Sequence, residues 1–412
     1  MTIPAPSSAS SERSVRPTIL TFVRHYLPGY KSGGPQTSVL NLCKTLDTEF
    51  SFRVVTLDHD LGDPTPYPGI TPGRWNRVEG HEVYYLTARE RRYAAVRDLI
   101  RATPHDLLYL NGIFPTETTI YPLVARRLGQ LERKPVILAP RGSFSPNALA
   151  LKSAKKRLYL GASQALGLYK GITWQASTGM EKEDIQRRLG IPSDQIATAQ
   201  DLPVRVPTQL PERPLAEMDA KGDAGEAAFR VTFLGRVAPM KNLDFALRCL
   251  AQCRRTIRFD IYGPQEDAAY WADCQSLISE LPANVVVHYH GTLKPTEVAG
   301  LFQNSDLKFL PSRGENYGHV VFEALANGTP VLVSDKTPWR GFPEDVGQVL
   351  PLDDPSAFAR HIDRLAGLGP NARAELAVRT HAHALELQQT NKDVSDNARM
   401  FHHALAHSSI SL

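Results

Sequence analysis

The stretch that decides the fold lies near residue 315 and reads Pro311-Ser-Arg-Gly-Glu315-Asn-Tyr-Gly-His-Val-Val-Phe-Glu323-Ala-Leu-Ala-Asn-Gly-Thr-Pro330-Val-Leu-Val-Ser. Apolar residues within 307–310 predict a short buried strand, and the Pro and Gly of 311–314 end it. Apolar residues at helical spacing from 320 predict a helix that stops near 327, and another strand begins at 331. A glycine-containing turn that feeds a helix exposes unpaired N–H groups, so the segment suits a phosphate. Its two carboxylates suit sugar hydroxyls.

The sequence spacing of Glu315 and Glu323 is not the informative part of this pattern. Glu82 and Glu90 have the same spacing, in a stretch without a glycine turn or a helix start between two strands. The strand, turn and helix around Glu315 therefore carry the prediction.

Length and composition indicate an ordinary globular protein. A chain of 412 residues is long enough for two or three domains with separate cores. No apolar run approaches the roughly 20 residues that span a bilayer. Residues 1–17 are rich in Ser, Pro and Ala without an apolar centre, which predicts a disordered tail and not a secretion signal.

The cysteines indicate a reducing compartment. Only four are present, and no His or Cys cluster completes a metal set beside them. We therefore expect buried free thiols in a cytoplasmic protein, with no metal site. The charge is uneven: residues 1–200 hold 26 Lys and Arg against 17 Asp and Glu, and the rest hold 21 against 26. The first half is thus expected to face something anionic, although nothing in the chain suggests nucleic acid.

Strands alternate with amphipathic segments in both halves, which predicts two α/β units with parallel sheets. Predicted strands of the first half lie at 18–23, 52–57, 83–86, 107–110 and 136–138, and those of the second at 230–234, 259–262, 285–288, 307–310 and 331–333. The predicted units are a tail (1–17), a first domain (18–206), a Pro-rich and then Gly/Asp-containing linker (207–228), a second domain (229–385) and a C-terminal helix packing towards the first domain (386–412).

In such folds ligands bind beyond the carboxyl ends of the strands, so the loops after strands hold the candidate residues. Gly33 and Gly34 open a helix after the first strand, where a plain strand–helix turn is an equal alternative. In the second half, Arg236 and Lys241 follow a strand and are suited to one diphosphate. Gly263 lies in the next such loop. No G-x-G-x-x-G or Walker-type sequence is present, which counts against a dinucleotide dehydrogenase.

Two further basic features lie in the first half. Arg141 follows a strand in a glycine-containing turn, where it contacts either a phosphate, a sugar hydroxyl or only solvent. Residues 151–160 are basic on one side and apolar on the other, which suits an anionic membrane surface, a solvated helix face being the alternative. The cations of this stretch are Lys152, Lys155, Lys156 and Arg157.

Taken together, these motifs resemble glycosyltransferase family 4. The resemblance is dense over 230–340, with Gly235-Arg236, Lys241-Asn242, Tyr262-Gly263, His290-Gly291, the Glu315…Glu323 motif and Thr337-Pro338-Trp339 in the expected order. It is thinner over 18–205, where it rests on Gly33-Gly34, Pro140-Arg-Gly142 and Trp174-Gln-Ala-Ser-Thr178 with Glu181. It implies a GT-B fold, with two Rossmann-like domains facing across a cleft, and a retaining, metal-independent enzyme of polysaccharide biosynthesis.

The resemblance also implies roles for individual residues. Arg236 and Lys241 would neutralise the leaving diphosphate, and Glu315 would hold donor-sugar hydroxyls as a binding group, not a nucleophile. The backbone of Asn316, Tyr317 and Gly318 would lie beside it, Glu323 would bind the ribose, and Gly33, Gly34 and Gly263 would let the backbone approach the nucleotide. Many family members have a His where this chain has Arg141, and His25 or His105 would be substitutes.

The expected reaction is transfer from a nucleotide-diphosphate sugar, without another cofactor, to a lipid-linked or polysaccharide acceptor at the cytoplasmic face of the membrane. Two other functions are compatible with the same architecture. One is a nucleotide-sugar epimerase or a phosphorylase, although no clear pyridoxal lysine is present for the latter. The other is a catalytically silent binding scaffold, against which the complete set of Arg236, Lys241, Glu315 and Glu323 argues.

Overall fold

Two parallel-stranded sheets, each covered by helices, form the protein in a computed structural model that describes residues 16–144, 153–210 and 228–407. The fold class predicted from the sequence is confirmed. Most of the predicted tail and most of the predicted linker lie outside the described residues. Neither prediction is therefore addressed by the structure.

The first sheet has eight strands in the order β3-β4-β2-β1-β5-β6-β7-β8, all parallel except β3, which runs antiparallel to β4. The strands are β1 (Thr18–Phe22), β2 (Ser51–Leu57), β3 (Trp75–Val78), β4 (His81–Leu86), β5 (Leu107–Asn111), β6 (Val136–Ala139), β7 (Thr173–Ala176) and β8 (Ile196–Thr198). The helices are α1 (Gly34–Thr45), α2 (Tyr93–Ala102), α3 (Tyr121–Arg127), α4 (Ser153–Ala165) and α5 (Gly179–Leu189), with a π turn at Thr116–Ile120 and a 3-10 turn at Ser193–Gln195.

The second sheet has six parallel strands in the order β11-β10-β9-β12-β13-β14. The strands are β9 (Phe229–Leu234), β10 (Ile257–Tyr262), β11 (Val285–Tyr289), β12 (Leu307–Leu310), β13 (Val331–Ser334) and β14 (Gly347–Leu350). The helices are α6 (Leu243–Leu250), α7 (Ala268–Ser279), α8 (Val298–Gln303), α9 (His319–Ala326), α10 (Pro355–Ala366), α11 (Pro370–Thr390) and α12 (Asp393–His407), with a 3-10 turn at Pro295–Glu297.

The strand order reverses once in each sheet, and this position locates the ligand crevice. In the first sheet the reversal falls between β1 and β5, and in the second it falls between β9 and β12. Helices leave to opposite faces on either side of such a point, so the loops beyond it diverge and leave a crevice. The loops after β9 and β12 are those that hold Lys241 and Glu315.

The described residues cross between the domains twice. Leu202 belongs to the core of the first domain and Val206 to that of the second, so the first crossing lies between them. The C-terminal helix α12 then packs on the first domain, where buried Phe401 has its ring centroid 5.3 Å from those of Phe50 and Tyr109. This double crossing ties the two domains together.

Four strands were not among the predictions. They are β3, β7, β8 and β14, each of only three or four residues. Short strands of this kind depend on the partner strand for their hydrogen bonds, so local sequence signals them weakly. The prediction of buried free thiols is confirmed for all four cysteines.

Candidate donor site at the edge of the second sheet

The turn after β9 approaches the neighbouring loop so closely that a side chain is excluded there. Gly263 has a φ of 139°, and a Cβ atom added to it would lie 1.9 Å from the carbonyl oxygen of Gly235. The amide of Gly263 donates to Gly291 O at 2.7 Å, which fixes the loop after β10 against the next one. Gly263 thus shapes the floor of the turn by its lack of a side chain.

Lys241 and Glu315 meet at the centre of the crevice. The Lys241 ammonium pairs with Glu315 Oε1, and Ser312 Oγ donates to the same oxygen at 2.8 Å. The side chains are 17% and 9% exposed, respectively. A cation held this way at the end of a parallel sheet can accept a second anionic partner from the crevice without a change of position.

Two residues beside this ion pair hold its loops together. Buried Asn242 donates from Nδ2 to Pro311 O at 2.9 Å and accepts from Arg313 Nε at 2.8 Å. The loops after β9 and β12 therefore form one connected unit.

Arg236 does not join Lys241 in the structure. Its Nη1 pairs with Glu266 Oε2 at 2.5 Å, and both side chains are more than a third exposed. An exposed ion pair is weak and exchanges with water, so Arg236 is free to turn towards an anion in the crevice. The predicted convergence of the two cations on one diphosphate stays a prediction.

Helix α9 begins at the crevice with the predicted residues at its first turn. Gly318 precedes it with a φ of 81°. Tyr317 is buried, and its carbonyl accepts from Trp339 Nε1 at 2.6 Å, so only its backbone faces a ligand. Asn316 reaches across to the first domain, where its Nδ2 donates to Ser177 Oγ at 3.0 Å. Its side chain thus links the two domains across the crevice.

Glu323 lies one turn into α9 and is the second carboxylate of the predicted site. Burial raises the pKa of Glu323 to about 7, and the positive charge of Lys308 opposes the shift. Its carboxylate has no hydrogen-bond donor among the residues that the structure describes. A carboxylate in this state can accept hydrogen bonds from ligand hydroxyls.

The first domain presents the start of α1 to the same crevice. Gly33 precedes this helix with a φ of 77°, and no atom lies within 4 Å of a Cβ added to Gly33 or to Gly34. One turn further, Ser38 Oγ is 2.9 Å from Nε2 of His319, the first residue of α9. The starts of the two helices therefore face each other, with open space at the glycines.

Arg141 is held by groups of its own domain. Its guanidinium pairs with Asp201 and donates to Tyr109 OH at 2.6 Å and to Asn111 Oδ1 from two nitrogens. The side chain is 3% exposed. Every described bond of the guanidinium goes to buried groups of its own domain, and the predicted contact with a sugar or acceptor stays a prediction.

Glu181 supports the same turn from the other side. Its carboxylate accepts from the amide of Gly142 at 2.5 Å and from that of Ser177 at 2.8 Å. The turn after β6 is therefore a structural unit that positions the wall of the crevice.

His25 and His105, the two proposed substitutes for the family histidine, lie at opposite ends of the first sheet. His105 precedes β5, at the end of the sheet opposite the crevice, and its Nδ1 lies 2.7 Å from Thr103 O. His25 follows β1 at the crevice end, with Nδ1 3.1 Å from His59 O and a buried Nε2 that has no described partner. The position of His105 excludes a contact with the donor sugar, whereas the position of His25 is compatible with one.

His319 is a crevice residue that was not predicted. It is 7% exposed, and burial lowers its pKa to about 4. Its ring centroid lies 4.8 Å from that of Tyr317. The signal for it was present, since a polar residue opens the apolar helix that follows Gly318. Lys308, which is buried within the apolar strand β12, was not predicted either.

The predicted basic surface lies partly on α4, and Lys152 lies outside the described residues. Lys155 and Arg157 are exposed, whereas the Lys156 ammonium lies 5.1 Å from the centroid of the Phe114 ring. Leu158 on α4 and Leu166, which directly follows this helix, are 76% and 63% exposed. Within the described ranges, no helix has the length and apolarity needed to cross a membrane.

Known proteins resemble this chain in sequence and in fold. Residues 216–398 match the family model described as glycosyl transferases group 1. The match covers the second sheet and the crevice residues that follow its strands. It ends within α12.

The relatives with sequence similarity align over part of their length only. D-inositol 3-phosphate glycosyltransferase from Acidothermus cellulolyticus is 29% identical over 172 residues, which are 39% of this chain and 38% of that protein. The protein of the same name from Arthrobacter sp. is 32% identical over 111 residues, or 26% of each chain. This chain therefore aligns with less than two fifths of the length of either relative.

Solved structures match over nearly the whole chain. Sucrose-phosphate synthase from Thermosynechococcus elongatus superposes with a TM-score of 0.67 at 18% identity, covering 96% of this chain and 100% of that one. HepE from Anabaena, in complex with UDP and glucose, superposes with a TM-score of 0.69 at 17% identity and the same coverage. At these identities the likeness establishes the fold, which is GT-B.

Proposed function

We propose that the protein is a retaining glycosyltransferase that moves a sugar from a nucleotide-diphosphate donor to a glycan or lipid-linked acceptor. The observation that carries this proposal is the meeting of Lys241, Glu315 and the start of α9 in one crevice, opposite the open start of α1. A cation, helix N–H groups and a carboxylate are the groups that a sugar diphosphate requires. The family match over 216–398 supports the same reaction class.

The proposed chemistry follows from where charge develops. Cleavage of the sugar–phosphate bond leaves negative charge on the diphosphate, and Lys241 with the first turn of α9 stabilises it in place. Arg236 leaves its exposed partner Glu266 to add a second cation. Glu315 holds the donor-sugar hydroxyls, and the positive charge developing at the anomeric carbon lies within its field. The acceptor hydroxyl then attacks from the face that the diphosphate leaves and gives its proton to the leaving diphosphate.

No metal is proposed for this reaction. Lys241 and Arg236 supply the positive charge that a divalent cation supplies in other phosphate sites. We expect full activity in excess chelator. A rate that falls with chelator and returns with Mg²⁺ would contradict metal independence but not transfer.

A donor screen tests the proposal. UDP-, GDP- and ADP-sugars are incubated with the protein, beginning with UDP-glucose, which a HepE structure contains, and release of the free nucleotide is measured. We expect turnover or binding with one nucleotide class and retention of the anomeric configuration by proton NMR. Absence of both with every donor would exclude the transferase. Interconversion of the donor sugar without transfer would instead establish the epimerase.

A catalytically silent scaffold is separated from an enzyme by the same screen. A scaffold binds the nucleotide with normal affinity and releases none of it. Lys241→Met would then weaken binding without any rate to lose.

We also propose that α4 docks the protein on an anionic membrane, which would bring it to a lipid-linked acceptor. Exposed Leu158 and Leu166 offer apolar area, and Lys155 and Arg157 beside them offer charge. Apolar side chains flanked by cations are typical of helices that lie in the membrane interface.

Vesicle sedimentation tests this surface. We expect salt-sensitive binding to vesicles rich in phosphatidylserine and weak binding to neutral vesicles. Leu158→Ser should reduce it, whereas Val378→Ser, another exposed apolar site, on α11, should not. Equal binding of wild type and Leu158→Ser would exclude α4 as the docking helix.

A further inference from the structure

The turn that precedes α9 is held by the first domain as well as by its own. Asn316 lies in this turn, between Glu315 and Gly318, and its side-chain nitrogen donates to Ser177 Oγ at 3.0 Å and to Asp201 Oδ2 at 3.4 Å. Both partners belong to the first domain, where Ser177 follows β7 and Asp201 follows β8. An amide nitrogen carries two hydrogens, so these two bonds use its full donor capacity. The side-chain nitrogen of Asn316 therefore has no hydrogen left for a ligand.

The partners of Asn316 form a buried chain of hydrogen bonds. Ser177 and Asp201 are 2% and 5% exposed, and Ser177 Oγ donates to Asp201 Oδ1 at 3.4 Å. The Arg141 guanidinium pairs with the same carboxylate oxygen. Because Ser177 gives its hydroxyl hydrogen to Asp201, its oxygen can only accept from Asn316. The first domain thus offers two acceptors to residue 316, and an amide nitrogen is suited to both.

Gly142 allows the two domains to approach each other at this contact. Its φ is 75°, and a Cβ atom added to it would lie 3.3 Å from Cβ of Asn316, closer than an ordinary van der Waals contact. Glycine adopts this backbone conformation without a steric penalty, and it leaves the space free. The turn after β6 therefore makes room for a side chain of the other domain.

A second contact between the domains fixes the other end of the same turn. Ser38 Oγ of α1 donates to Gly34 O at 2.9 Å and lies 2.9 Å from His319 Nε2, so the serine oxygen accepts from this ring nitrogen. Both Ser38 and His319 are buried. The contacts of residues 316 and 319 therefore bracket Tyr317 and Gly318, whose backbone belongs to the candidate donor site.

We propose that Asn316 is a positioning residue, through which Ser177 and Asp201 of the first domain hold the donor-binding turn of the second domain in place. The inference rests on the proposed function, because it takes the ligand of this turn to be a nucleotide sugar. Donor binding and the contact between the domains then favour each other, since each stabilises the same position of the turn. Residue 316 must be a hydrogen-bond donor, so asparagine serves here and aspartate does not.

A double-mutant cycle in donor affinity tests the inference. Affinity is measured by calorimetry for wild type, Asn316→Ala, Ser177→Ala and the double variant, using the UDP-, GDP- or ADP-sugar found in the screen. We expect each single variant to bind about tenfold more weakly, as the loss of one buried hydrogen bond allows. The double variant should bind no more weakly than the weaker single variant, because both changes remove the same contact. Losses that add, or wild-type affinity in Asn316→Ala, would overturn the inference.

Asn284→Ala is the matched control. Asn284 directly precedes β11, and its side-chain nitrogen donates to Cys253 O at 3.1 Å and to Arg255 O at 2.8 Å. It makes as many bonds as Asn316, but both lie within the second domain. Donor affinity should therefore stay at the wild-type value. A loss equal to that in Asn316→Ala would show that the contact between the domains has no special role, and it would overturn the inference.

The distance between the domains is measured without a donor. Spin labels are attached to Arg101→Cys in the first domain and Lys294→Cys in the second, since both positions are exposed and the four native cysteines are buried. Pulsed electron paramagnetic resonance then gives the distance between the labels. In Asn316→Asp the new carboxylate faces Asp201 and the two repel each other, so we expect a longer mean distance than in the labelled protein with Asn316.

This distance separates positioning from direct contact with the donor. A side chain that bound only the donor would leave the distance unchanged in Asn316→Asp, and that result would overturn the inference. If no nucleotide binds, the proposed function fails by itself, and the distance still tests the contact. If Ser177→Ala does not fold, Asn316→Ala must bind the donor more weakly and Asn316→Asp must lengthen the distance, and failure of either would overturn the inference equally.

Discussion

The turn after β6 and the turn after β9 look alike in sequence and differ in the molecule. Each follows a buried strand and contains a glycine and a cation, Arg141 in one and Lys241 in the other. Arg141 is 3% exposed and bound to groups of its own domain, whereas Lys241 is 17% exposed and faces the crevice beside Glu315. The difference lies in the neighbours: Asp201, brought by a distant segment, engages the arginine completely. A cation after a strand becomes a ligand group only if the fold leaves it room.

The largest expected effect comes from Arg141→Met. The change leaves Asp201, whose side chain is 4% exposed, buried without its counter-charge. We expect the free energy of unfolding to fall by about 3–5 kcal/mol, measured by urea denaturation. Arg187→Met, which breaks an exposed pair with Asp184 on α5, should change it by less than about 1 kcal/mol. If Arg141→Met has normal stability but binds the donor more weakly, Arg141 contacts the donor.

Lys241→Met tests the other side of the comparison. It removes the cation beside the leaving diphosphate, so kcat/KM should fall by about 100-fold to 1,000-fold while the protein stays folded. Circular dichroism and steady-state kinetics measure the two properties. Lys44→Met, which removes an exposed pair with Glu79, is the control and should keep its activity. Near-normal turnover in Lys241→Met would show that the donor diphosphate binds elsewhere.

His319 tests a further difference, between residues that form the wall of the crevice and residues that bind the ligand. Burial lowers its pKa to about 4, below the value of 6.5 for an unperturbed histidine. The unfolded chain therefore takes up the proton first, and stability falls as pH drops from about 6.5 towards 4. Between pH 7 and pH 5, wild type should lose about 1–2 kcal/mol more than His319→Gln.

Urea denaturation at the two pH values measures this difference. His402→Gln, at a half-exposed site on α12, should lose as much as wild type. An equal loss in His319→Gln and wild type would mean that this imidazole is protonated in the folded protein.

The smallest effect is expected from Trp339→Phe. The ring that stacks on Phe342 is kept, but the hydrogen bond from Nε1 to Tyr317 O is lost. Since one such bond contributes about 1 kcal/mol, the donor KM should rise about fivefold. Trp75→Phe, on the edge strand β3, should leave it unchanged. A normal KM in Trp339→Phe would show that the backbone before α9 needs no such support.

Prediction from the sequence was most accurate where the local residue pattern and the tertiary structure agree. Buried parallel strands such as β12 and β13 are short apolar runs bounded by turn residues, so both were predicted to within a residue. The equal spacing of Glu82 and Glu90 shows the opposite case. In the structure Glu82 pairs with Arg53, and Glu90 accepts from Thr87 and Tyr84, so both serve the first domain internally. Spacing did not distinguish the two pairs of carboxylates, whereas the turn and helix start did.

By itself, the sequence determined the two α/β domains, the loops that face the crevice and the residue types in them, because these depend on periodicity and on turn chemistry near each residue. Only the tertiary structure decided which charges remain available there. Asp201 neutralises Arg141, Glu266 pairs with Arg236, and Lys308 of β12 donates to Leu234 O at the end of β9. Each of these outcomes depends on groups far apart in the chain, whose desolvation and pairing exist only once the strands lie side by side.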